Sequence, residues 1–183
     1  MVDAIKGTDH DSVVHLLADT ESAPRPGAQI TASIDWQRRF NLMRMHTCLH
    51  LLSAILPYPV TGGQVGVDKA RLDFDIPEAN LDKDAIAEKL NALIAEDQAV
   101  GVRWISAEEL ARQPALVKTM AVKPPMGVGQ IRLVEIAGLD LQPCGGTHVA
   151  HTGEIGRVVV TKIEKKGRLN RRVIVAFDEG TLQ

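Results

Sequence analysis

Apolar residues recur at steps of three and four along residues 35–56, a pattern that predicts one amphipathic helix. At 3.6 residues per turn these positions form a single stripe that must be buried, made of Leu42, Met45, Leu49, Leu52 and Leu56. His46 and His50 lie at the border of the stripe, one turn apart, where two imidazoles can converge on one metal ion. Two polar residues on the flank of a helix give the same pattern, so this pair alone does not establish a site.

A second pair with the same spacing, Cys144 and His148, occurs in the segment PCGGTH. Its two glycines permit a turn that folds a thiolate and an imidazole toward one point. Three imidazole nitrogens and one thiolate sulfur suit tetrahedral Zn²⁺. The sequence therefore predicts a zinc site formed by His46, His50, Cys144 and His148.

Thr47 and Cys48 lie between the two helical histidines. Cys48 is two residues from each of them, so it points to the opposite side of the helix and is expected to pack in the core. Thr47 occupies the position where zinc proteases of the H-E-x-x-H type carry their general-base glutamate. That protease chemistry is therefore excluded.

The other patterns predict an α+β fold in which a mostly antiparallel sheet packs against the zinc-ligand helix and a second long helix. Turn residues at 61–63 precede a predicted strand over 64–74. The second helix is expected over 80–97, with Asn80 as its cap and the apolar residues Ile86, Leu90, Leu93 and Ile94 on one face.

More strands are predicted in the second half of the chain, over 99–105, 130–136 and 139–142 and in a hairpin over 155–177. Ser106 and Glu109 form a capping box that opens a short helix. The segment 118–129, with two prolines and two glycines, is either a lid over the metal site or a plain connector.

Four stretches follow one another as in the editing domain of alanyl-tRNA synthetase: RRFNLMRMHTCLHLLSAIL, GGQVGVDKARLDF, CGGTHVAHTGEIG and GRLNRRVIV. They span about residues 35–177 and resemble even more closely the free-standing AlaX alanyl-tRNA editing proteins. This resemblance implies that the four predicted ligands hold zinc beside a pocket where a mischarged tRNA(Ala), typically seryl-tRNA(Ala), is deacylated. Because hydrolysis of an ester is downhill, no ATP is expected to be needed.

The same resemblance suggests roles for residues near the metal. Thr61 and Gln64 are candidates to contact the aminoacyl group, although the TGG segment is equally compatible with an ordinary hairpin turn. The related threonyl-tRNA synthetase editing domain carries an acidic residue two places before the cysteine, where this chain has Gln142. No general base is therefore named, and the catalytic candidates are a metal-bound water and Gln142. His151 ranks below His148 as a ligand, because the family motif ends at the CGGTH histidine.

The C-terminal hairpin carries the densest basic cluster of the chain, with Glu164 against it: Lys162, Lys165, Lys166, Arg168, Arg171 and Arg172. Since the formal net charge is −2, tRNA binding must use such a local patch. A solvated hairpin tip gives the same pattern, and the resemblance to editing proteins favours phosphate contact. An aromatic content of 3% argues against base stacking as the main mode of binding.

Residues 1–34 are expected to form a short N-terminal β segment and linker, separate from a zinc-binding editing domain over 35–183. They resemble only the final strands of the glycine-rich β-barrel that precedes the editing core in medium-length AlaX proteins. Either the barrel is reduced in this protein or part of it has been lost.

We expect a cytoplasmic protein without a membrane partner. The sequence has only two cysteines, and it shows neither a secretory signal pattern nor an apolar run near 18 residues. Two alternatives to a tRNA hydrolase remain open. Four protein ligands normally describe a closed, structural zinc site, which would suit an RNA-binding module without catalysis. A small-molecule zinc hydrolase would need neither the hairpin nor tRNA. The sequence sets neither the mischarged amino acid, serine or another such as glycine, nor the oligomeric state.

Overall fold

The structure, a computed structural model, describes residues 3–8, 12–19, 21, 23–77, 80–119, 129–178 and 180. The chain divides into two compact units, residues 1–34 and 35–183. In the first unit, strands β1 (Asp3–Lys6) and β2 (Val13–Leu16) form one antiparallel hairpin. A two-stranded hairpin is not a barrel, so the expected barrel remnant stays a prediction.

The described part of the second unit contains two longer helices, one short helix and seven strands. Their order is α1 (Trp36–Ile55), β3 (Val60–Val65), β4 (Lys69–Asp75), α2 (Lys83–Ala95), β5 (Val100–Ile105), α3 (Ala107–Arg112), β6 (Ile131–Ile136), β7 (Asp140–Pro143), β8 (Val158–Lys165) and β9 (Asn170–Phe177). Every pairing between the described strands is antiparallel, and the α+β class is confirmed. None of the described helices combines the length and the apolar character that a membrane span requires.

Helix α1 begins at the predicted place because Asp35 caps it, accepting a hydrogen bond from the backbone N–H of Arg38 at 3.0 Å. The single buried stripe predicted for this helix is too narrow. Residues 47–53 are all buried, including Thr47, Cys48 and Ser53, because α2 and strands of both larger sheets pack around this part of the helix. Cys48 lies fully buried in the core, as expected.

A four-stranded sheet with the order β3-β4-β9-β8 forms one wall of the core. The predicted turn at 61–63 and unbroken strand over 64–74 are wrong: residues 60–65 are strand β3, and the chain turns at 66–68. Gly63 is a position of close approach, since a Cβ there would lie 3.0 Å from a methyl group of Leu72. Gly66 is the turn glycine, with space limited by the carbonyl oxygen of Lys69.

Helices α1 and α2 cover the inner face of this sheet, where alternate residues of β4 and β9 are buried. Helix α2 is capped by Asp82 rather than by the predicted Asn80. The Asp82 carboxylate accepts from the backbone N–H groups of Asp84 and Ala85. The predicted apolar face is confirmed in its centre, since Leu90 and its neighbours Ile86 and Ile94 are buried.

Strands β5, β6 and β7 form a three-stranded sheet of their own, so the antiparallel strands expected from the sequence belong to two sheets in this unit. The capping box of Ser106 and Glu109 opens α3 as predicted.

Of the segment 118–129, which was considered as a lid, residues 120–128 lie outside the described part of the chain. Lys118 and Thr119 run beside the start of β3, where the Lys118 carbonyl accepts from the N–H of Val60 at 3.0 Å.

Candidate metal site

The four sequence-predicted ligands come together at one point of the second unit. One donor atom from each of His46, His50, Cys144 and His148 lies within 4.8 Å of the others. Helix α1 supplies the first two, and the loop that follows β7 supplies the last two. The Cys144 sulfur lies 3.5 Å from Nε2 of His46 and 3.4 Å from Nε2 of His148.

The hydroxyl of Thr47 fixes the orientation of the His148 ring. It donates to the Met43 carbonyl at 3.0 Å and accepts from the Val149 N–H at 3.3 Å. Since its one hydrogen is used, it accepts from Nδ1 of His148 at 3.1 Å. The Nε2 lone pair of His148 therefore points to the cluster, which is the form that binds a metal.

His50 is oriented by the carboxylate of Asp140, at the start of β7. Its Nδ1 donates to Oδ2 of Asp140 at 2.9 Å, which leaves Nε2 for a metal. Lys118 and Gln142 also donate to this fully buried carboxylate, at 2.6 and 2.8 Å. Burial favours the neutral acid, but these hydrogen bonds outweigh it and hold the pKa of Asp140 below its ordinary value.

Gly146 and Arg132 shape the loop that carries Cys144. A Cβ on Gly146 would collide with the His46 ring, so only glycine allows the loop to close over that histidine. The Arg132 guanidinium donates to the carbonyls of Cys144 and Gly146 at 2.7 and 2.8 Å. This pair of bonds ties the loop to strand β6.

The cluster favours the protonation states that bind a metal. Burial opposes ionisation of Cys144, but its polar contacts with His148, His46 and His50 outweigh that effect and lower the pKa of the thiol to about 3. Burial, with the neighbouring histidines, lowers the pKa of His148 to about 4 despite its bond to Cys144. A thiolate beside a neutral imidazole is thus present at neutral pH.

A cleft of about 260 Å³ opens beside three of the four ligands. Its walls come from α1, strand β3, Leu72 of β4, Thr119 and the end of β7, with His46, His50 and Cys144 at one side. Gln64 lies in the wall of this cleft, and its side-chain oxygen accepts from Nε of Arg71 at 3.3 Å.

The side chains of Thr61 and Gln142 are both held by hydrogen bonds within the protein. The Thr61 side chain is not part of the cleft wall, since its hydroxyl donates to the Asp73 carbonyl at 3.2 Å and accepts from Asn170 at 2.8 Å. Gln142 does line the cleft, but its amide nitrogen bonds Asp140 and the Ser53 hydroxyl, at 2.8 and 3.1 Å. Gln142 thus bonds the carboxylate that orients His50, and its part in catalysis stays a prediction.

His151 lies outside the ligand cluster. Its exposed ring faces Asp97, with 4.0 Å between Nδ1 and the carboxylate. This placement agrees with its lower rank as a ligand.

Several basic side chains of the C-terminal hairpin are already paired with acidic residues. Lys162 and Lys166 both pair with Glu164, at 2.7 and 2.8 Å, and Arg172 pairs with Asp73 at 2.7 Å. Arg171 donates to backbone carbonyls at the hairpin tip, including that of Gly167 at 3.3 Å. Among the described residues, Lys165 and Arg168 are left without a polar side-chain partner.

Sequence reasoning missed the residues that support the ligands. Asp140 stands two places before Gln142 and gives no local signal of a contact with His50. Thr47 was considered only as a replacement for a glutamate, although a hydroxyl between two ligand histidines is itself a sign of a supporting role. Asp73 was missed as the acidic partner of Arg172, because it comes from another strand.

The fold and the site define an α+β domain whose three-histidine, one-cysteine cluster can hold a metal ion. Residues 131–174 match the family described as the threonyl and alanyl tRNA synthetase second additional domain. The chain is 36% identical over 154 residues to alanyl-tRNA editing protein AlaX-M of Methanosarcina acetivorans, covering 81% of this chain and 63% of that protein. It is 32% identical over 179 residues to AlaX-M of Saccharolobus solfataricus, covering 94% and 73%.

The chain therefore belongs to the family of AlaX-type alanyl-tRNA editing proteins. It also resembles part of alanine–tRNA ligase from Metallosphaera sedula, with 33% identity over 166 residues that make up 18% of that enzyme. The chain spans less than two thirds of the length of the Methanosarcina relatives, 63% for M. acetivorans and 61% for M. mazei.

Proposed function

We propose that this protein hydrolyses the ester bond of mischarged tRNA(Ala), with seryl-tRNA(Ala) as the substrate, at a Zn²⁺ held by His46, His50, Cys144 and His148. The observation that carries this proposal is the position of the four-ligand cluster beside a cleft of about 260 Å³ in a chain of the AlaX family. The names of the relatives state an editing role for those proteins.

The donor set supports zinc as the metal. Tetrahedral zinc with ligand distances of roughly 2.0–2.3 Å places its donor atoms about 3.3–3.8 Å apart. The Cys144 sulfur meets this at 3.5 Å from His46 and 3.4 Å from His148. Two of the ligand histidines also have the second hydrogen bond, to Asp140 and to Thr47, that orients a ring for metal binding.

Bound zinc would supply a Lewis acid next to the ester carbonyl. The protein's own part is to hold the aminoacyl group in the cleft and to select its side chain. No carboxylate occurs among the described residues that line the cleft, so the wall offers amide, hydroxyl and backbone groups to the substrate.

Selection of serine over alanine must rest on polar contacts, because the smaller alanine cannot be excluded by size. A site that hydrogen-bonds a substrate hydroxyl can reject the analogue without it by about 10⁴-fold. The oxygen of Gln64 is engaged by Arg71, which leaves its amide N–H groups as donors for the serine hydroxyl. We assign the selection to Gln64 rather than Thr61, whose hydroxyl is already bonded on both sides.

A second candidate function is an RNA-binding module in which the metal is structural. Four protein ligands complete a tetrahedral shell and leave no open position. A small-molecule zinc hydrolase is the third candidate, and the cleft alone does not separate it from the first.

One assay separates the three candidates. Zinc-loaded protein is incubated without ATP with seryl-tRNA(Ala), with alanyl-tRNA(Ala) and with a small seryl ester. Release of the amino acid is measured beside a no-enzyme control, and binding of tRNA is measured in parallel. Release from seryl-tRNA(Ala) far above release from alanyl-tRNA(Ala) supports editing. Binding of tRNA without release would support the RNA-binding module, and release from the small ester alone would support the small-molecule hydrolase.

A further inference from the structure

The outer face of the four-stranded sheet is charged, in contrast to the inner face under α1 and α2. Strand β4 places Arg71 and Asp73 on this face, and β9 places Arg172 directly opposite Asp73 in the register. The side chains of Arg71 and Arg172 stay partly accessible, at 27% and 23%. Arg71 belongs to none of the basic sites that the sequence indicated.

One carboxylate holds the two guanidiniums side by side. Oδ2 of Asp73 accepts from Nη1 of Arg71 at 2.7 Å and from Nη2 of Arg172 at 2.8 Å, and Oδ1 accepts from Nε of Arg172 at 2.7 Å. Two cations share one anion, so the trio retains a positive charge. The hydrogen bonds from Arg172 have the largest effect on the pKa of Asp73. Together with the bond from Arg71 they outweigh burial and keep this pKa below its ordinary value, so Asp73 stays ionised at neutral pH.

Both guanidiniums keep unused donors. An arginine has about five N–H groups in a rigid fork. The described hydrogen bonds use two on Arg71, to Asp73 and Gln64, and two on Arg172, both to Asp73. Each fork can therefore still donate to another anion, and paired arginine forks match the geometry of a phosphate group.

The positive character continues across the same face. Glu164 of β8 lies opposite Arg172 in the register, and Lys162 and Lys166 flank Glu164 at 2.7 and 2.8 Å. Together with the Arg71–Asp73–Arg172 trio, these side chains comprise four cations and two anions. The whole chain has a formal net charge of −2, so the positive face is a local feature.

Gln64 connects this face to the cleft. It lies in the cleft wall, and its side-chain oxygen accepts from Arg71. Strand β3, which carries Gln64, is one of the two edge strands of the sheet, and Lys118 and Thr119 lie beside its start only, so a ligand can pass over it at Gln64. A chain that leaves the cleft across β3 reaches the outer face at Arg71.

We propose that Arg71 and Arg172, held together by Asp73, bind phosphate groups of the single-stranded 3′ end of tRNA where it leaves the cleft. This inference rests on the proposed function, because it takes the aminoacyl end of tRNA to occupy the cleft. Asp73 acts as a positioning residue that presents the two forks, and the RNA contacts come from the arginines.

The test measures binding of an uncharged acceptor-stem RNA and of the same RNA without its single-stranded 3′ nucleotides, over a range of salt. Arg71→Gln should weaken binding of the complete RNA about 5- to 10-fold. It should also reduce the slope of log K against log salt by about 0.7 for each lost phosphate contact. Arg172→Lys keeps the charge but loses the fork, so it should weaken binding less than Arg172→Gln does.

The matched control is Arg103→Gln, since Arg103 is also a surface arginine paired with a carboxylate, Glu135 at 3.1 Å, but lies on the three-stranded sheet. This control should change neither affinity nor salt slope. Equal losses for the complete and the shortened RNA, or no loss beyond that of Arg103→Gln, would overturn the proposal. Deacylation of seryl-tRNA(Ala) by the unsubstituted protein, measured separately, would show that the proposed function stands even if the phosphate contact does not exist.

Discussion

The hydroxyl of Thr47 lies 3.1 Å from Nδ1 of His148, although 101 residues separate the two in the sequence. This contact joins the two halves of the metal site, since Thr47 stands between the helical ligands His46 and His50. The same oxygen accepts from the N–H of Val149 and so fixes the backbone next to His148 as well. Removal of this one oxygen therefore tests how the ligands are positioned.

Thr47→Val keeps the shape of the side chain but removes the hydroxyl. His148 then loses the partner that holds Nδ1 protonated, so zinc affinity should fall about 10- to 100-fold. The free energy of unfolding should fall by about 1–3 kcal/mol, because a buried N–H is left unpaired. Competition with a chelating dye and denaturant titration measure the two effects. Thr161→Val, which removes an exposed hydroxyl bonded to the Ile174 carbonyl, should leave zinc affinity unchanged.

Asp140→Asn tests the carboxylate behind His50. The variant loses the negative charge that accepts hydrogen bonds from Nδ1 of His50 and Nζ of Lys118. Zinc affinity should therefore again fall about 10- to 100-fold. Zinc affinity is measured by competition with a chelating dye, as for Thr47→Val, and zinc content is measured on the purified variant. Asp178→Asn serves as the control, because it removes a surface carboxylate paired with Arg157 at 2.8 Å. Equal affinities in the two variants would show that Asp140 does not position the ligand.

The two cysteines should differ in reactivity in the metal-free, folded protein. The pKa of Cys144 is lowered to about 3, so its thiolate is fully formed from about pH 5 to 8 and alkylation should be independent of pH there. A cysteine with an ordinary pKa reacts about tenfold faster per pH unit in this range. Burial raises the pKa of Cys48 to about 12, so Cys48 should not react.

Mass spectrometry after brief alkylation measures both rates. Added zinc should protect Cys144, and unfolding should give both cysteines ordinary reactivity. Substitution of each cysteine tests the same assignment. Cys144→Ser should lose zinc, and Cys48→Ala should retain it. Retention of zinc by Cys144→Ser would contradict the ligand assignment.

Gly146→Ala tests the close approach of the loop to His46. A methyl group there collides with the imidazole ring, so either the loop or His46 must move, and zinc affinity should fall at least about tenfold. Gly145→Ala is the matched control, because a Cβ on Gly145 meets open space. The comparison needs only zinc titrations of the two variants. An effect of the same size in both would mean that loop flexibility, rather than contact with His46, explains the loss.

Gln64→Ala should reduce the preference for serine while zinc is retained. Loss of a hydrogen bond to the substrate hydroxyl should lower kcat/KM for seryl-tRNA(Ala) by about tenfold or more and leave the slow rate on alanyl-tRNA(Ala) nearly unchanged. Thr61→Val is the control from the same strand, since its hydroxyl is bonded within the sheet. A change of preference in Thr61→Val but not in Gln64→Ala would reverse the two assignments.

The sequence by itself determined the features that depend on local spacing. His46 and His50 are one helical turn apart, so any helix over this stretch brings them to the same side. Cys144 and His148 are separated by a short glycine-containing loop, and the capping box of Ser106 and Glu109 is local as well. In each case a few residues of helix or turn geometry decide the contact. The α+β class followed from the same short-range patterns.

Only the tertiary structure decided the contacts that depend on strand order and register. Asp140 meets His50, and Asp73 meets Arg172, because particular strands lie beside one another or beside α1. Apolar periodicity sets which face of a strand is buried but not which strand is its neighbour. The TGG segment was misplaced for a related reason, since it is part of strand β3 and its Gly63 permits a close approach to β4. The support of the metal ligands and the paired arginines are therefore products of long-range packing, which local sequence patterns do not encode.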